Sequence, residues 1–246
     1  MSNHKFTVRY DGREFSGWQR HQNKATIQGA IEEALSGVFG SPVAIFGSGR
    51  TDGGAHAQGQ VFNADLPGEP DLAETKRALD LALVPAVRIL DIEQADEGFH
   101  ARTASIGKIY RYEIWNAPKC PGQMKGRVWH IPGPLAVDPM RAACAELVGE
   151  RDFATFATKT NYKQKSTRRN LKRVTLSHDL ERISIVFEAD GFLYKMVRNL
   201  VRAIVKVGEG RTKPEDLRAL LAACDRKVAP GTAPASGLFL DAVQYE

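Results

Sequence analysis

The sequence is short of cysteine, and its three residues, Cys120, Cys144 and Cys224, are widely spaced with no Cys-x-x-Cys pair. Neither a disulfide framework nor a zinc site can be built from them, so a reducing cytoplasm is the expected setting. Long apolar runs are also missing; none reaches the roughly 18 residues that a membrane-spanning helix requires. Met1 to Tyr10 is polar and mixed, without the apolar centre of a signal peptide. The glycine-rich stretch from Gly47 lacks the Gly-Lys-Ser/Thr ending of a phosphate-binding loop, and Gly107-Lys108 runs into Ile109 and fails the same test. No nucleotide or flavin fingerprint is present. His56, His100, His130 and His178 show no metal-ligand spacing, so neither a metal nor a cofactor is expected.

What is present is a chain of 246 residues, enough for one large domain or two small ones. Its charge is unevenly placed. Residues 1–103 hold 10 Lys and Arg against 14 Asp and Glu, whereas residues 104–246 hold 24 against 15, so the net charge of +5 resides in the second half. Such asymmetry fits a surface for a polyanion, although it also occurs in proteins that touch no nucleic acid.

Hydrophobic periodicity divides the chain at the same place. In residues 1–103, Phe6, Val8 and Tyr10 alternate as in a strand, and a helix capped by Thr26 runs from Ile27. Val43–Phe46 and Gln60–Ala64 read as strands, Asp71 and Glu74 open a helix towards Leu83, and Val87–Ile92 follows Pro85 as a strand. The order is β-α-β-β-α-β. Residues 104–246 repeat it: a strand at Lys108–Trp115, a helix entered at Asp138-Pro139 with a stripe from Met140 to Val148, strands at Leu171–Leu176 and Ile183–Phe187, a helix from Leu193 to Val207, and a closing strand near Leu238–Val243. An extra helix is expected behind a Thr212–Glu215 capping box. The expected fold class is α+β: two ferredoxin-like, RRM-like halves with mostly antiparallel sheets, meeting at a central RNA-binding cleft.

Four segments could carry chemistry. The loop from Gly47 to His56 has glycines at 47, 49, 53 and 54, which let backbone and substrate approach closely. Arg50, two residues before Asp52, could hold a phosphate beside a nucleophilic carboxylate; equally, Asp52 could simply bond to turn backbone. Tyr110 and Tyr112 share one face of a strand, suited either to stacking on an unpaired base or to core packing. On the helix after Phe192, Leu193, Met196, Val197, Leu200, Val201, Ile204 and Val205 form one apolar face, with Lys195, Arg202 and Lys206 opposite and Arg198 at the flank. That flank suits an arginine paired with a buried carboxylate, or one whose stem covers the core edge. Finally, Lys159–Arg173 holds seven Lys and Arg and no acid, with Lys163, Lys165, Arg168 and Arg169 available to phosphates on a basic loop. From the residues alone the reading stops at an RNA-binding α+β protein.

A wider pattern takes it further. Tyr10-Asp11-Gly12 with Phe15 and Gly17-Trp18-Gln19, then Thr26-Ile27-Gln28-Gly29, lead to Gly49-Arg50-Thr51-Asp52 with Gly54 and His56-Ala57. Phe99-His100-Ala101-Arg102, Lys108 with Tyr110-Arg111-Tyr112, Asp152-Phe153, Phe192-Leu193, Met196-Val197-Arg198-Asn199, Val207-Gly208 with Gly210, and Ala233-Pro234-Ala235 with Gly237-Leu238 follow in order. Together these resemble the tRNA pseudouridine synthase A family. The resemblance implies Asp52 as nucleophile, Tyr110 against the target base, Arg198 paired with Asp52, and Arg50 on the RNA beside the flipped nucleotide. It also implies a homodimer acting on uridines 38 to 40 of the anticodon stem-loop. Gly53 and Ala55 replace the Ala and Val usual beside the family's catalytic Asp, which predicts a looser loop. Arg202 stands where relatives have Gly, either as an added phosphate contact or as an altered packing residue.

Overall fold

Alternating burial along Ser2–Tyr10 (β1) turns Phe6, Val8 and Tyr10 inward, and the strand takes partners on both edges. The computed structural model describes residues 1–159 and 166–246, and within them the chain divides into two compact units, Met1–Ile106 with Phe239–Glu246, and Gly107–Leu238.

In the first unit the elements after β1 are α1 (Ile27–Phe39), β2 (Phe46–Gly47), β3 (His56–Leu66), α2 (Leu72–Leu83) and β4 (Val87–Gln94). β1 runs antiparallel to both β3 and β4, with Phe6 opposite Phe62 on one side and Ile92 on the other. The Phe6 and Phe62 rings stack at 4.5 Å and form the middle of the core. The expected strand at Val43–Phe46 is shorter than its apolar residues suggest, because α1 captures the backbone ahead of β2. The Ile45 N–H donates to the Glu32 side chain at 3.3 Å, and the Gln28 amide donates to the Ile45 carbonyl at 3.4 Å. The last strand, β10 (Leu238–Gln244), lies parallel to β3, with Phe239 opposite His56 and Leu240 opposite Ala57.

Both helices of this unit start where the sequence places them. Thr26 Oγ1 accepts from the Gly29 N–H at 3.2 Å, and the Asp71 carboxylate accepts from the N–H groups of Ala73 and Glu74 at 2.9 and 3.0 Å. α1 ends on Gly40 in the left-handed conformation, φ 65°, which glycine adopts without steric cost. Ile27, Ile31 and Leu35 of α1 and Leu79 and Leu83 of α2 fill the helical side of the core.

The second unit contains β5 (Gly107–Trp115), β6 (Trp129–His130), α3 (Val137–Glu146), β7 (Gly149–Asp152), β8 (Arg168–Asp179), β9 (Arg182–Ala189), α4 (Met196–Gly208) and α5 (Asp216–Ala223). The antiparallel order is β5-β9-β8-β7, and β6 adds to β5 in parallel. α4 buries the whole expected face from Met196 to Val205, but begins three residues later than its periodicity implies, because Lys195 is left-handed with φ 59°. α3 stops at Glu146, so Leu147 is buried beyond the helix rather than on its stripe. α4 and α3 meet at Gly208, where a Cβ would lie 2.5 Å from Met140 Sδ. The Thr212–Glu215 capping box does not form. Glu215 makes no cap bond, and Asp216 instead accepts from the Lys213 N–H at 2.8 Å. Among the described residues, no helix is long and apolar enough to cross a membrane.

Thr26 is buried, so its cap bond has no water to replace it. Thr26→Ala should lower unfolding stability by about 1 kcal/mol, read as a reduced urea midpoint at unchanged slope.

Candidate active site

The loop between β2 and β3 carries Asp52, and its shape is set by a segment forty residues earlier in the chain. After β1, residues 12–18 wrap against the loop. The Trp18 N–H donates to the Thr51 carbonyl at 3.1 Å, and the Gly54 N–H donates to the Phe15 carbonyl at 3.2 Å. This approach is close enough to require glycine. A Cβ on Gly12 would sit 1.9 Å from the Ala55 carbonyl oxygen; one on Gly17, whose φ is +98°, would sit 2.8 Å from the Thr51 oxygen. On the other flank, a Cβ on Gly47 would meet the Trp18 indole at 2.6 Å. The opening motif and the Asp52 loop are thus two halves of one clasp. At Gly53 an added Cβ would meet only ordinary contacts of 3.4 to 3.5 Å on Ser16 and Phe15, so the volume missing there leaves space rather than strain.

Gln60, which in the sequence reads only as the start of a strand, ties this loop to β3. Gln60 is fully buried. Its amide donates to the Gly49 carbonyl at 3.0 Å, and its Oε1 accepts from the Ser48 hydroxyl at 2.6 Å. The Tyr10 hydroxyl bonds Thr51 Oγ1 at 2.8 Å and also reaches Gln60. Burial raises the Tyr10 pKa above the ordinary phenol value, outweighing the bonds to Thr51 and Gln60, so this hydroxyl keeps its proton. The sequence signal was a lone amide opening the apolar run Gln60–Ala64. Asp52 itself is half-buried and Arg50 is exposed. His56, at the trailing end, has Nδ1 3.3 Å from both the Gly12 nitrogen and Asp11 Oδ1.

In the second unit Tyr110 and Tyr112 both turn inward from β5, at 8% and 0% exposure, but their surroundings differ. Tyr110 meets Phe192 edge-on, with ring centroids 5.0 Å apart. Tyr112 donates its hydroxyl to the Pro234 carbonyl at 2.7 Å, and burial raises its pKa against the opposing pull of Arg198. Arg198 is half-buried on α4, and its Nε donates to the Ala233 carbonyl at 2.7 Å. Asn199 beside it is fully buried, accepting from the Thr232 hydroxyl at 2.6 Å and donating to the Phe156 carbonyl at 2.6 Å. Tyr112, Arg198 and Asn199 therefore hold the segment 232–234. On the opposite face of β5, Glu113 is buried among Arg182 and Ser184, each at 2.7 Å, and Arg111. Burial pushes its pKa up, but the donors from Arg182, Ser184 and Arg111 outweigh burial and hold it below the usual carboxylate value.

The expected basic residues fall into different environments. Lys163 and Lys165 lie outside the described residues. Arg168 pairs with Glu150 at 3.1 Å, and Arg169 donates to the carbonyls of Ser166 and Arg168. Lys195 sits at the start of α4 with Nζ 5.0 Å from the Tyr194 ring centroid. Arg202 is half-buried, its guanidinium 5.5 Å from the Trp129 centroid and 3.3 Å from Glu209. That engagement matches the packing alternative for Arg202 better than an open phosphate contact. Among the described residues, no group of three or more His, Cys, Asp or Glu is placed to hold a metal ion.

A family model described as tRNA pseudouridine synthase matches residues 7–102 and 143–246, which include Asp52 and Arg198 but not Tyr110. Three full-length relatives, each a tRNA pseudouridine synthase A, cover the interval between. That of Brevibacillus brevis is 38% identical over 245 residues, with the whole of both chains covered. That of Rhodospirillum centenum is 38% identical over 246 residues, again covering both chains fully. That of Solidesulfovibrio magneticus is 40% identical over 255 residues, covering all of this chain and 92% of the other. These likenesses define the class of enzyme as one that isomerises uridine within RNA. The chain belongs to the tRNA pseudouridine synthase A family, whose members convert uridine to pseudouridine in tRNA.

Replacing Gln60 with leucine would leave the Gly49 carbonyl and the Ser48 hydroxyl without their shared partner inside the protein. Ser48 keeps a further interaction, so the Gly49 carbonyl carries the loss; at roughly 1–3 kcal/mol for a buried group left unpaired, Gln60→Leu should lose about 1–3 kcal/mol in urea unfolding.

Proposed function

We propose that this enzyme forms pseudouridine at positions 38, 39 and 40 of the tRNA anticodon stem-loop, with Asp52 as the nucleophile on a flipped-out base. The observation that supports it most directly is the setting of Asp52. A pure RNA-binding protein gains nothing from a carboxylate presented towards phosphates, yet this one sits on a glycine loop held by Trp18, Gly54 and Gln60. In this reading each half is a ferredoxin-like α+β unit. The first brings the Asp52 loop and the second brings Tyr110 and Arg198.

The reaction breaks the bond from C1′ to N1, turns the uracil, joins C5 to C1′ and releases the C5 proton. Stacked bases hide these atoms, so the nucleotide first leaves the stack. Tyr110 lies against the extruded uracil, with Phe192 supporting its ring from the edge. Arg198 pairs with Asp52, and Arg50 contacts the RNA beside the flipped nucleotide. Attack at uracil C6 and attack at ribose C1′ both use the Asp52 carboxylate, and either divides one hard step into easier ones. The Tyr110 hydroxyl assists removal of the C5 proton after re-attachment. Lys163, Lys165, Arg168, Arg169 and Lys195 supply phosphate contacts that position the tRNA without reading its sequence. The enzyme works in the cytoplasm as a homodimer, without metal or cofactor.

Tritium release from tRNA labelled at uridine C5, measured in chelator, tests this reading. Wild type should release label from positions 38, 39 and 40. A folded Asp52→Asn should be slower by more than about a thousandfold while still binding tRNA. Release by Asp52→Asn at the wild-type rate would remove the nucleophile assignment.

A further inference from the structure

Arginines of the second unit commonly meet an acid: Arg111 and Arg182 share Glu113, Arg173 pairs with Glu188, and Arg202 pairs with Glu209. Arg226 does not. It is half-buried in the short turn Arg226–Val228 that follows α5, and its guanidinium is held by neutral groups. Nη2 donates to Asn199 Oδ1 at 3.3 Å and to Thr232 Oγ1 at 3.2 Å. Among the described residues no carboxylate pairs with it. The neighbouring Asp225 turns to its own backbone instead, accepting from the Lys227 N–H at 2.9 Å.

Both ends of this arginine are fixed. The fully buried Thr155 ties down the turn, its Oγ1 accepting from the Asp225 N–H at 3.2 Å. At the far end Asn199, also fully buried, is held in turn by Thr232 and the Phe156 carbonyl. Nε and Nη1 of Arg226 carry no bond among the described residues. A staple between α4 and Thr232 needs a donor but no charge, and a half-buried charge without a counter-ion costs stability. Arginine is the side chain whose permanent charge and planar fork match a phosphate. Position agrees with charge. Ala233, next to Thr232, accepts from Arg198 Nε at 2.7 Å, and Thr158 Oγ1 lies 3.5 Å from Asn199 Nδ2. Thr158 directly precedes the basic stretch Lys159–Arg173. Arg198, Arg226 and the start of that stretch are thus gathered around one amide.

We propose that Arg226 binds a backbone phosphate of the tRNA, with Asn199 and Thr232 holding its guanidinium ready. The contact positions the RNA and reads no sequence. The proposal rests on tRNA as the substrate and is independent of Asp52 as the nucleophile.

The test is the salt dependence of binding to unmodified tRNA, for the otherwise native chain, Arg226→Gln and Arg226→Lys, each carrying Asp52→Asn to stop turnover. Glutamine keeps an amide donor for Asn199 and Thr232 and removes the charge. Arg226→Gln should bind about tenfold more weakly at about 0.1 M salt, and its plot of log affinity against log salt should be shallower by about one. Arg226→Lys should keep the parent slope. An unchanged slope in Arg226→Gln would overturn the proposal, even with weaker binding, because that result marks a staple and not a phosphate contact. Should Arg226→Gln fail to fold, the wild type alone decides. Saturating tRNA should slow modification of Arg226 by an arginine-directed dicarbonyl reagent, read by mass spectrometry, and equal rates with and without tRNA would sink the idea. If the parent itself binds without salt dependence, the tRNA reading fails and this proposal with it. Turnover in the Asp52→Asn parent would remove the nucleophile assignment and leave the slope comparison intact.

Discussion

Everything at the Asp52 loop depends on how closely two stretches of backbone approach. Gly12 lies against Ala55 with no room for a side chain, and Gly17 lies against Thr51 in a conformation that other residues rarely adopt. Because those positions are glycine, Trp18 and Phe15 can exchange backbone hydrogen bonds with the loop, and the indole can cover Gly47. The loop therefore needs little regular structure of its own. It borrows rigidity from β1 on one side, through Tyr10 and Thr51, and from β3 on the other, through Gln60. Reactive carboxylates presented on loops gain their precision from such supporting groups, whose own positions are locked by packing.

The second unit follows the same economy with different groups. Its irregular segment 232–234 is held by side chains from two regular elements, Tyr112 on β5 and Arg198 and Asn199 on α4. Asn199 is especially constraining, because it is wholly buried and uses both ends of its amide. Glu113 anchors β5 from its other face among Arg111, Arg182 and Ser184, so the strand that carries Tyr110 and Tyr112 is fixed on both faces. Such a network constrains conformation strongly when every member is satisfied.

Much of this fold is legible in the sequence where one local force dominates. The apolar face of α4 and the caps at Thr26 and Asp71 are of this kind: each depends on residues within one or two turns. Failures occur where a distant group competes. Val43–Phe46 has strand character, yet Glu32 and Gln28 on α1 take the backbone of Ile45. The Thr212–Glu215 box yields to Asp216, which is one residue better placed to reach Lys213. Arg202 reads as a surface cation by helical position, but Trp129 and Glu209 draw it inward. The candidate site divides likewise. Asp52 stands out through its family motif rather than through composition, since a glycine-rich polar turn is ordinary. Gln60 is invisible until the loop is folded onto β3, because it lies in a segment that reads as plain strand and its partners, Ser48 and Gly49, are set beside it only by the fold.

The account turns on Asp52 reacting as a nucleophile. The most direct measurement uses tRNA carrying 5-fluorouridine at positions 38 to 40, in which C5 holds no proton to release and turnover stalls on the enzyme. After digestion with trypsin, mass spectrometry should find the RNA adduct on the peptide that begins at Thr51 and ends at Lys76, and nowhere in Asp52→Asn. An adduct on a different peptide, or one formed equally well by Asp52→Asn, would contradict the account.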